Sequence, residues 1–299
     1  LNNEGCVSGI LLNDTLYESG RTGNNVTGSF VPLNLPNLKD LNLVNNHISG
    51  NLFDLENLRS LELLNIFGNP FNGSIPNFDL PSLKLLAISR NNLTGSIPKF
   101  DKLPKLEVLE IAYTQISDTI PDFDLPSLVG LYLHSNILIG KVPNFTNLPN
   151  LEVLELYGNR LTDTIPNFNS LPLLKTLWLG GNQLSGTIPN FINLPNLVNL
   201  NIDNNILDGQ IPEFDRLLKL QSLSIRSNKL VGPLSPFSKC PNLIEINVSD
   251  NELSGYVPDY SIYLPAVSSI SIRDNKFSFT GIIQNAKKIQ FHTKKTSIG

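Results

Sequence analysis

The sequence predicts a solenoid that is mostly β-structure, in which short repeats stack along one axis and place their strands side by side. The first observation is the phrase LxxLxLxxNxLxGxIPxF, which recurs from about residue 38 to residue 277. By subtraction, its steps run from 22 residues (Leu61 to Leu83) to 24 residues (Leu243 to Val267). A period of this length packs each repeat against its neighbours only. The second observation is the LxL alternation inside each repeat, which indicates a short strand with one buried face.

The repeat of residues 174–184 shows how each part of the phrase is used. Leu177 and Leu179 alternate with Thr176 and Trp178, so we expect a strand with the leucines buried and Trp178 exposed. Asn182 follows at a turn, where its amide can bond backbone groups that a turning chain leaves unpaired. Its counterparts predict a buried ladder that Thr114 interrupts in repeat four; they are Asn46, Asn69, Asn91, Asn136, Asn159, Asn205, Asn228, Asn251 and Asn275.

The second half of the repeat contains Ile188-Pro189-Asn190-Phe191 and then Leu194-Pro195. Pro189 lacks an amide donor and suits an extended segment, whereas Pro195 suits the start of a short helical turn. Equivalents of Phe191 predict an aromatic stack in the core; they are Phe78, Phe100, Phe123, Phe145, Phe168, Phe214 and Phe237. Two repeats, after Phe78 and after Phe123, are one residue shorter than the others, and we expect these deletions on the convex side.

The ends depart from the repeat, which predicts three segments. Residues 1–30 form an N-terminal cap with a degenerate first repeat, residues 31–277 form the repeats, and residues 278–299 form a C-terminal cap. Val7, Ile10 and Leu12 read as the first strand, and the extra residues Thr15 to Thr22 as a cap loop. Terminal repeats must differ because an open end exposes apolar core.

The composition excludes several classes of function. The 299 residues carry a net charge of −4 and a pI near 5.4, too mild to predict nucleic-acid binding. No apolar run reaches the roughly 18 residues of a membrane span, so we expect no membrane insertion. The three histidines are dispersed, and we expect no cofactor or metal.

Cys6 and Cys240 lie about ten repeats apart, too far for a disulfide, and Cys240 replaces a core leucine.

The segments Thr94–Pro98, Ser185–Pro189 and Asp208–Pro212 carry the sequence GxIP after a leucine. They resemble the plant-specific class of leucine-rich repeats, found in plant receptor-kinase ectodomains, polygalacturonase-inhibiting proteins and secreted bacterial proteins. The resemblance covers about residues 24–277. It implies a right-handed superhelix with a parallel concave sheet, extra short strands after the turn, and an extracellular binding role.

No cysteine pair flanks the repeats, and the linkers are short, which favours a secreted or surface bacterial member. The chain has no Met, so we expect a mature or trimmed fragment.

Candidate binding residues are those that alternate with the strand leucines and change from repeat to repeat. Most repeats carry Asn or Ser at these positions, but repeats four to seven carry aromatic and acidic side chains. Clustered aromatic side chains among hydrogen-bonding groups are typical of a recognition surface. We expect these positions to be exposed and the arginines, such as Arg90, to lie away from the acidic centre. The predicted ligand-binding residues are Glu110, Tyr113, Tyr132, His134, Glu155, Tyr157, Trp178, Asn201 and Asp203.

Two classes of partner fit this set of side chains. A protein or peptide with basic residues would use the acidic centre, and a glycan would stack its sugar rings on the aromatic faces. The family resemblance favours the protein or peptide. An enzyme is the remote alternative, because Glu110 and Glu155 would lie roughly 9–10 Å apart, close to the spacing in inverting glycosidases. An open sheet gives no reason for a raised carboxyl pKa, so we expect a non-catalytic module outside the cell or at its surface.

Overall fold

A computed structural model describes residues 7–12, 24–234 and 237–278. Cys6, the predicted loop from Thr15 to Thr22 and all but the first residue of the predicted C-terminal cap lie outside the described residues. Two compact units divide the chain: Leu1–Ile139 with Phe145–Leu151, and Gly140–Asn144 with Glu152–Gly299. Each unit is built from the same kind of repeat, in which one strand precedes the turn and a second strand follows it.

Within its described residues, the first unit contains eleven strands and one helical turn, a 3-10 helix at Leu52–Leu55. The strands are β1 (Gly9–Leu11), β2 (Thr27–Ser29), β3 (Asp40–Asn42), β4 (His47–Asn51), β5 (Leu63–Asn65), β6 (Phe71–Gly73), β7 (Leu85–Ala87), β8 (Asn92–Gly95), β9 (Val108–Glu110), β10 (Gln115–Ile116) and β11 (Gly130–Tyr132). The odd-numbered strands pair in parallel as one sheet, and β2, β4, β6, β8 and β10 form a second parallel sheet.

Strand β12 (Ile139–Lys141) begins at Ile139, which belongs to the first unit, and its other two residues belong to the second. Within its described residues, the second unit repeats the plan of the first with twelve further strands and the four-residue helix α1 (Tyr260–Tyr263). The further strands are β13 (Val153–Glu155), β14 (Arg160–Thr162), β15 (Thr176–Trp178), β16 (Ser185–Thr187), β17 (Asn199–Asn201), β18 (Ile206–Asp208), β19 (Ser222–Ser224), β20 (Val231–Gly232), β21 (Glu245–Asn247), β22 (Glu252–Gly255), β23 (Ser269–Ser271) and β24 (Lys276–Phe277). The odd-numbered strands again pair in parallel, and the predicted solenoid with almost no helix is confirmed.

The sheet register follows the leucines of the phrase. Leu64 of β5 pairs with Leu86 of β7, and Leu86 pairs with Leu109 of β9. The first pair is separated by 22 residues and the second by 23, so the shorter repeat leaves the sheet in register. The lost residue belongs to the other side of the repeat, as expected. Phe100 has a positive φ of 54° and its carbonyl accepts a bond from Leu103 N, whereas Phe78 keeps a negative φ.

The core consists of fully buried leucines and a column of phenylalanines. Phe214 stacks on Phe191 and on Phe237 with ring centroids 6.4 and 6.3 Å apart, and Tyr260 extends the column at 6.3 Å. Cys240 is buried in this core, as predicted, and its Sγ donates to Phe214 O at 3.6 Å. Burial raises the pKa of the Cys240 thiol to about 12, so it behaves as a small apolar side chain.

The predicted asparagine ladder is present. Asn182 Nδ2 donates to Leu156 O, Leu179 O and Gly180 O at 3.0–3.3 Å, while its Oδ1 accepts from Leu161 N. Each amide therefore serves backbone groups of its own repeat and of the one before it. Loss of a buried bond of this kind leaves a backbone group without a partner and away from water, which costs more free energy than loss of the same bond in a solvent-exposed turn.

Repeat four substitutes a hydroxyl for the ladder amide. Thr114 Oγ1 donates to Asn136 Oδ1 at 2.5 Å and accepts from Ile116 N at 3.3 Å. The Thr114 hydroxyl thus bonds the amide of the next repeat, and it makes one donor bond where a ladder amide makes three to carbonyls of its own repeat and the one before. The interruption inferred from the sequence is a change of chemistry at this position, not a gap.

The residue before each ladder position has a positive φ in every described repeat, between 52° and 69°. The positions are Asn45, Gly68, Arg90, Tyr113, Ser135, Gly158, Gly181, Asn204, Ser227, Asp250 and Asp274. We call this set the turn row. A ladder amide bonds the carbonyls just before the turn, as Asn182 bonds Leu179 O and Gly180 O, which lets non-glycine residues adopt a conformation that ordinarily costs about 1–2 kcal/mol.

Candidate ligand-binding site

The nine predicted residues are divided between the two units. Glu110, Tyr113, Tyr132 and His134 lie in the first unit, and the other five lie in the second. In the first unit Glu110 pairs in register with Tyr132 on the neighbouring strand. In the second unit Glu155 pairs in register with Trp178. Each unit therefore presents aromatic and acidic side chains on adjacent strands.

Tyr157 and Trp178 form an aromatic pair in the second unit. Trp178 is the last residue of β15, and Tyr157 follows β13 by two residues, so both point to the face opposite the core leucines. Their ring centroids are 6.0 Å apart, with an interplanar angle of 62°. Trp178 remains 37% exposed. The two rings meet edge to face and leave an apolar wall accessible to a ligand.

A concavity of about 380 Å³ lies beside this pair. Its lining is formed by Tyr157, Gly158, Trp178, Gly180, Gly181, Asn201, Asp203 and Asn204. Gly180 and Gly181 form its floor because they have no side chains to fill it. A Cβ atom at Gly180 would lie 2.8 Å from Asn201 Oδ1 and 3.2 Å from Asp203 O, so that position also has no room for alanine.

The polar side of the concavity is held in place by internal hydrogen bonds. Asn201 Oδ1 accepts from Asp203 N at 3.1 Å. The Asp203 carboxylate accepts from Ser224 Oγ at 2.8 Å and from Arg226 N at 2.6 Å. Burial raises the pKa of Asp203, and these two bonds oppose that shift. Both carboxylate oxygens thus already have partners in the protein, which the sequence did not predict.

The first unit contains a second aromatic cluster. Tyr113 and His134 meet edge to face at 5.1 Å, and the guanidinium of Arg90 lies 4.8 Å from the Tyr113 ring centroid. Arg90 therefore contacts Tyr113, one of the predicted ligand-binding residues, a contact that the sequence did not predict. Arg90 and Tyr113 occupy equivalent turn-row positions in successive repeats, which places their side chains next to each other. Burial, and secondarily Arg90, lowers the pKa of His134 to about 4.

The expected exposure of the whole face is also corrected. Ser89, Ala112 and Ser249 are buried, and most of the predicted site residues are half-buried. Strands about 4.8 Å apart bring large side chains over small neighbours. Only the larger side chains, such as Trp178 and Tyr113, reach past them, at 37% and 47% exposure.

Among residues 7–12, 24–234 and 237–278, no group of three histidine, cysteine or acidic side chains could hold a metal ion. Within the same residues, no helix has the length and apolarity needed to cross a membrane.

Comparisons with known proteins bear on the repeats first. A family model described as leucine-rich repeats (2 copies) matches residues 149–191. No curated protein sequence matches the chain. The family model thus places leucine-rich repeats at residues 149–191, and the solved structures share the parallel-strand solenoid fold of the chain.

Three solved structures illustrate the resemblance. The plant peptide hormone receptor RGFR1 in complex with RGF2 is 27% identical with a TM-score of 0.78, over 86% of this chain and 47% of that chain. The Arabidopsis receptor kinase HAESA, in complex with the peptide hormone IDA and the co-receptor SERK1, is 27% identical with a TM-score of 0.68, over 97% of this chain and 58% of that chain. A plant ice-binding protein is 27% identical with a TM-score of 0.62, over 76% of this chain and 78% of that chain.

The chain thus spans about half the length of the receptor chains that it resembles. Two of the three neighbours are complexes with peptide hormones, and the third is an ice-binding protein. One fold therefore serves partners of different chemistry, and function must be argued from the site.

Proposed function

We propose that this chain is a non-catalytic binding module that acts outside the cell and recognises a peptide or an extended protein segment. The concavity beside Tyr157 and Trp178 carries the proposal. It offers an apolar wall, a glycine floor that lets a ligand approach the backbone, and amides at Asn201 and Asn204 that suit a peptide backbone. The receptor complexes with peptide hormones support a peptide over other partners.

The site favours binding over catalysis. Asp203 uses both carboxylate oxygens in internal bonds, which orient it as a structural support of the concavity. The exposed aromatic wall is open to solvent, and open sites gain little from the electrostatic preorganisation on which hydrolases depend. The bacterial origin suggested by the short linkers stays a further proposal, as does the extracellular setting.

Selection from a random dodecapeptide phage library on the immobilised chain tests this proposal. Synthetic copies of the selected peptides are then titrated against the protein while its fluorescence is recorded. Trp178 is the only tryptophan in the chain, so a ligand in the concavity should change the emission directly. We expect saturable binding by wild type and a loss of about tenfold or more in affinity for Trp178→Ala, equivalent to about 1.4 kcal/mol.

Tyr256→Ala is the matched control, because Tyr256 is also an exposed aromatic side chain of the second unit, at 70% exposure, but does not line the concavity. It should bind the peptides like wild type. Circular dichroism melting of both variants shows that they are folded. Peptides that bind Trp178→Ala as well as wild type would contradict the proposed site.

A glycan array tests the alternative partner, a carbohydrate. The Tyr157–Trp178 pair could also stack on a sugar ring, so glycan binding lost in Trp178→Ala, without any selected peptide, would replace the peptide by a carbohydrate. Turnover of any arrayed glycan that disappears in Glu155→Gln would overturn the non-catalytic assignment.

A further inference from the structure

Arg90 occupies a fixed position in the turn row of the first unit. Its φ is 53°, its backbone N donates to Ala112 O at 2.9 Å, and the amide of Asn91 donates to Ile88 O and Ser89 O beside it. The Cα atom is therefore anchored from two directions. The side chain, which is exposed, leaves the turn from a backbone that cannot readily move.

Two aromatic rings order the guanidinium. It lies 5.6 Å from the centroid of Phe67 and 4.8 Å from that of Tyr113. His134 supports Tyr113 from the next repeat, with ring centroids 5.1 Å apart at an interplanar angle of 89°. A guanidinium that stacks on an aromatic ring uses its face in this contact, and its in-plane N–H groups stay available to a ligand. A side chain held in this way loses less entropy when it binds a ligand.

The charge of Arg90 is not used within the part of the chain that the structure describes. Arg59, Arg226 and Arg273 each lie within 4.0 Å of a carboxylate. Among those same described residues, no carboxylate lies that close to the Arg90 guanidinium. Arg160 and Arg216 also have no such partner, but neither lies over an aromatic ring. Of the arginines that the structure describes, only Arg90 combines an unpaired charge with ring contacts that order its donors.

We propose that Arg90, held between Phe67 and Tyr113, is a binding site for an oxyanion: a carboxylate, sulfate or phosphate group carried by the ligand of this face. A planar guanidinium pairs with such groups through two parallel N–H···O bonds, the strongest hydrogen bonds that a neutral-pH side chain offers. The site belongs to the first unit and does not depend on the peptide concavity. It would select an acidic group on the partner, whereas the acidic side chains predicted from the sequence would select basic groups.

Inorganic sulfate is the first probe. It is titrated into ¹⁵N-labelled protein against chloride at constant ionic strength, and the Nε–Hε resonance of Arg90 is followed. That resonance is assigned by its disappearance in Arg90→Gln. We expect a saturable shift with sulfate that chloride does not produce. A shift equal to that of the Arg160 resonance, or one that does not saturate, would refute a built site.

The His134 ring resonances extend the test to variants, because they survive when Arg90 is replaced. Sulfate should move them in wild type and in the matched control Arg160→Gln, but not in Arg90→Gln. Arg90→Lys keeps the charge without the planar fork and should retain a weaker response. Equal responses in Arg90→Gln and wild type would overturn the proposal. Melting curves establish that each variant is folded.

The source of the oxyanion is separated with short peptides that differ in one group. Each carries glutamate, sulfotyrosine, phosphoserine or a free C-terminal carboxylate, and the reference carries glutamine and a C-terminal amide. We expect at least one anionic peptide to bind about fivefold tighter than the reference and to lose that advantage in Arg90→Gln. If every anionic peptide matches the neutral reference, Arg90 is a structural stack and not a ligand site. Failure of the phage selection would leave the sulfate result unaffected.

Discussion

At the residue scale, the two clusters show how neighbouring side chains set the chemistry of each position. In the first unit Arg90 stacks on Tyr113, and Tyr113 rests against His134. The imidazole is half-buried beside a cation, and both conditions disfavour its charged form. In the second unit the carboxylate of Asp203 is held by Ser224 and Arg226 N. The surroundings of His134 thus disfavour its charged form in the first unit, and the bonds of the Asp203 carboxylate hold one side of the concavity in the second.

The titration of His134 gives the first prediction. Its pKa is lowered from 6.5 to about 4, first by burial and then by Arg90. The unfolded chain therefore takes up this proton at a higher pH than the folded chain does. The resulting contribution to stability is complete above pH 6.5 and is lost as the pH falls from 6.5 to about 4.

Measurement of the His134 ring by NMR should give a midpoint near 4 in wild type. In Arg90→Gln the midpoint should rise but stay below 6.5, because burial is the larger cause. Arg160→Gln is the control and should leave the midpoint unchanged. An unchanged midpoint in Arg90→Gln would mean that the two side chains do not interact electrostatically.

At the element scale, each repeat has two strands joined by a turn, and hydrogen bonds from neighbouring side chains fix the backbone conformation of that turn. The turn row accepts arginine, tyrosine, serine and asparagine because the ladder amides hold the carbonyls around it. A second turn follows the outer strand, where most repeats have glycine. Asp163 occupies that position with φ 71°, and its Oδ1 accepts from Thr164 N at 2.9 Å. Asp118 occupies the equivalent turn in another repeat, with φ 75°, and its Oδ1 accepts from Thr119 N at 2.8 Å.

Substitutions at Asp163 test the turn. Asp163→Ala keeps a Cβ atom in the left-handed region without the compensating hydrogen bond, and should lower the free energy of unfolding by about 1–2 kcal/mol. Asp163→Gly removes the same bond but relieves the strain, and should cost less than about 1 kcal/mol. Urea unfolding followed by Trp178 emission measures both, because Trp178 lies in the same unit. Equal losses of unfolding free energy in the two variants would show that backbone strain at position 163 does not determine the effect of the substitution.

At the scale of the whole molecule, stability is a sum over repeats and the contacts between them. The period alone predicted the parallel sheet, the asparagine ladder and the phenylalanine column, since these depend on residues that recur at one spacing. It also pointed to Tyr157 and Trp178, because strand alternation places them opposite the core. The turn row and the Arg90 stack could not be predicted in this way. The positive φ at Arg90 depends on the Asn91 amide beside it and not on the residue type, and Tyr113 keeps the same conformation although Thr114 replaces the amide of its repeat.

Cys240 offers a measurement of how the second unit opens. Its thiol is buried and its pKa is about 12, so little thiolate is present and none is accessible in the folded chain. In Cys6→Ser, which leaves Cys240 as the only thiol, we expect almost no reaction with an aromatic disulfide reagent at about pH 8 without denaturant. Stoichiometric labelling should appear over the urea range in which Trp178 emission changes. Labelling that precedes the emission change would reveal local opening around Cys240.

The turn row also determines how such a protein can change its partner. Its backbone geometry is the same whether the residue is Gly68, Arg90, Tyr113 or Asn204, since the ladder behind it supplies the constraint. A mutation in the row therefore alters the presented group while the core and the sheet register stay as they are. Repeats that already carry a side chain in the row each offer one such replaceable position, whereas at Gly68 a Cβ atom would lie 2.3 Å from Asn45 Oδ1. Selection, natural or in the laboratory, can therefore act on the recognition surface one repeat at a time while the ladder and the sheet are kept.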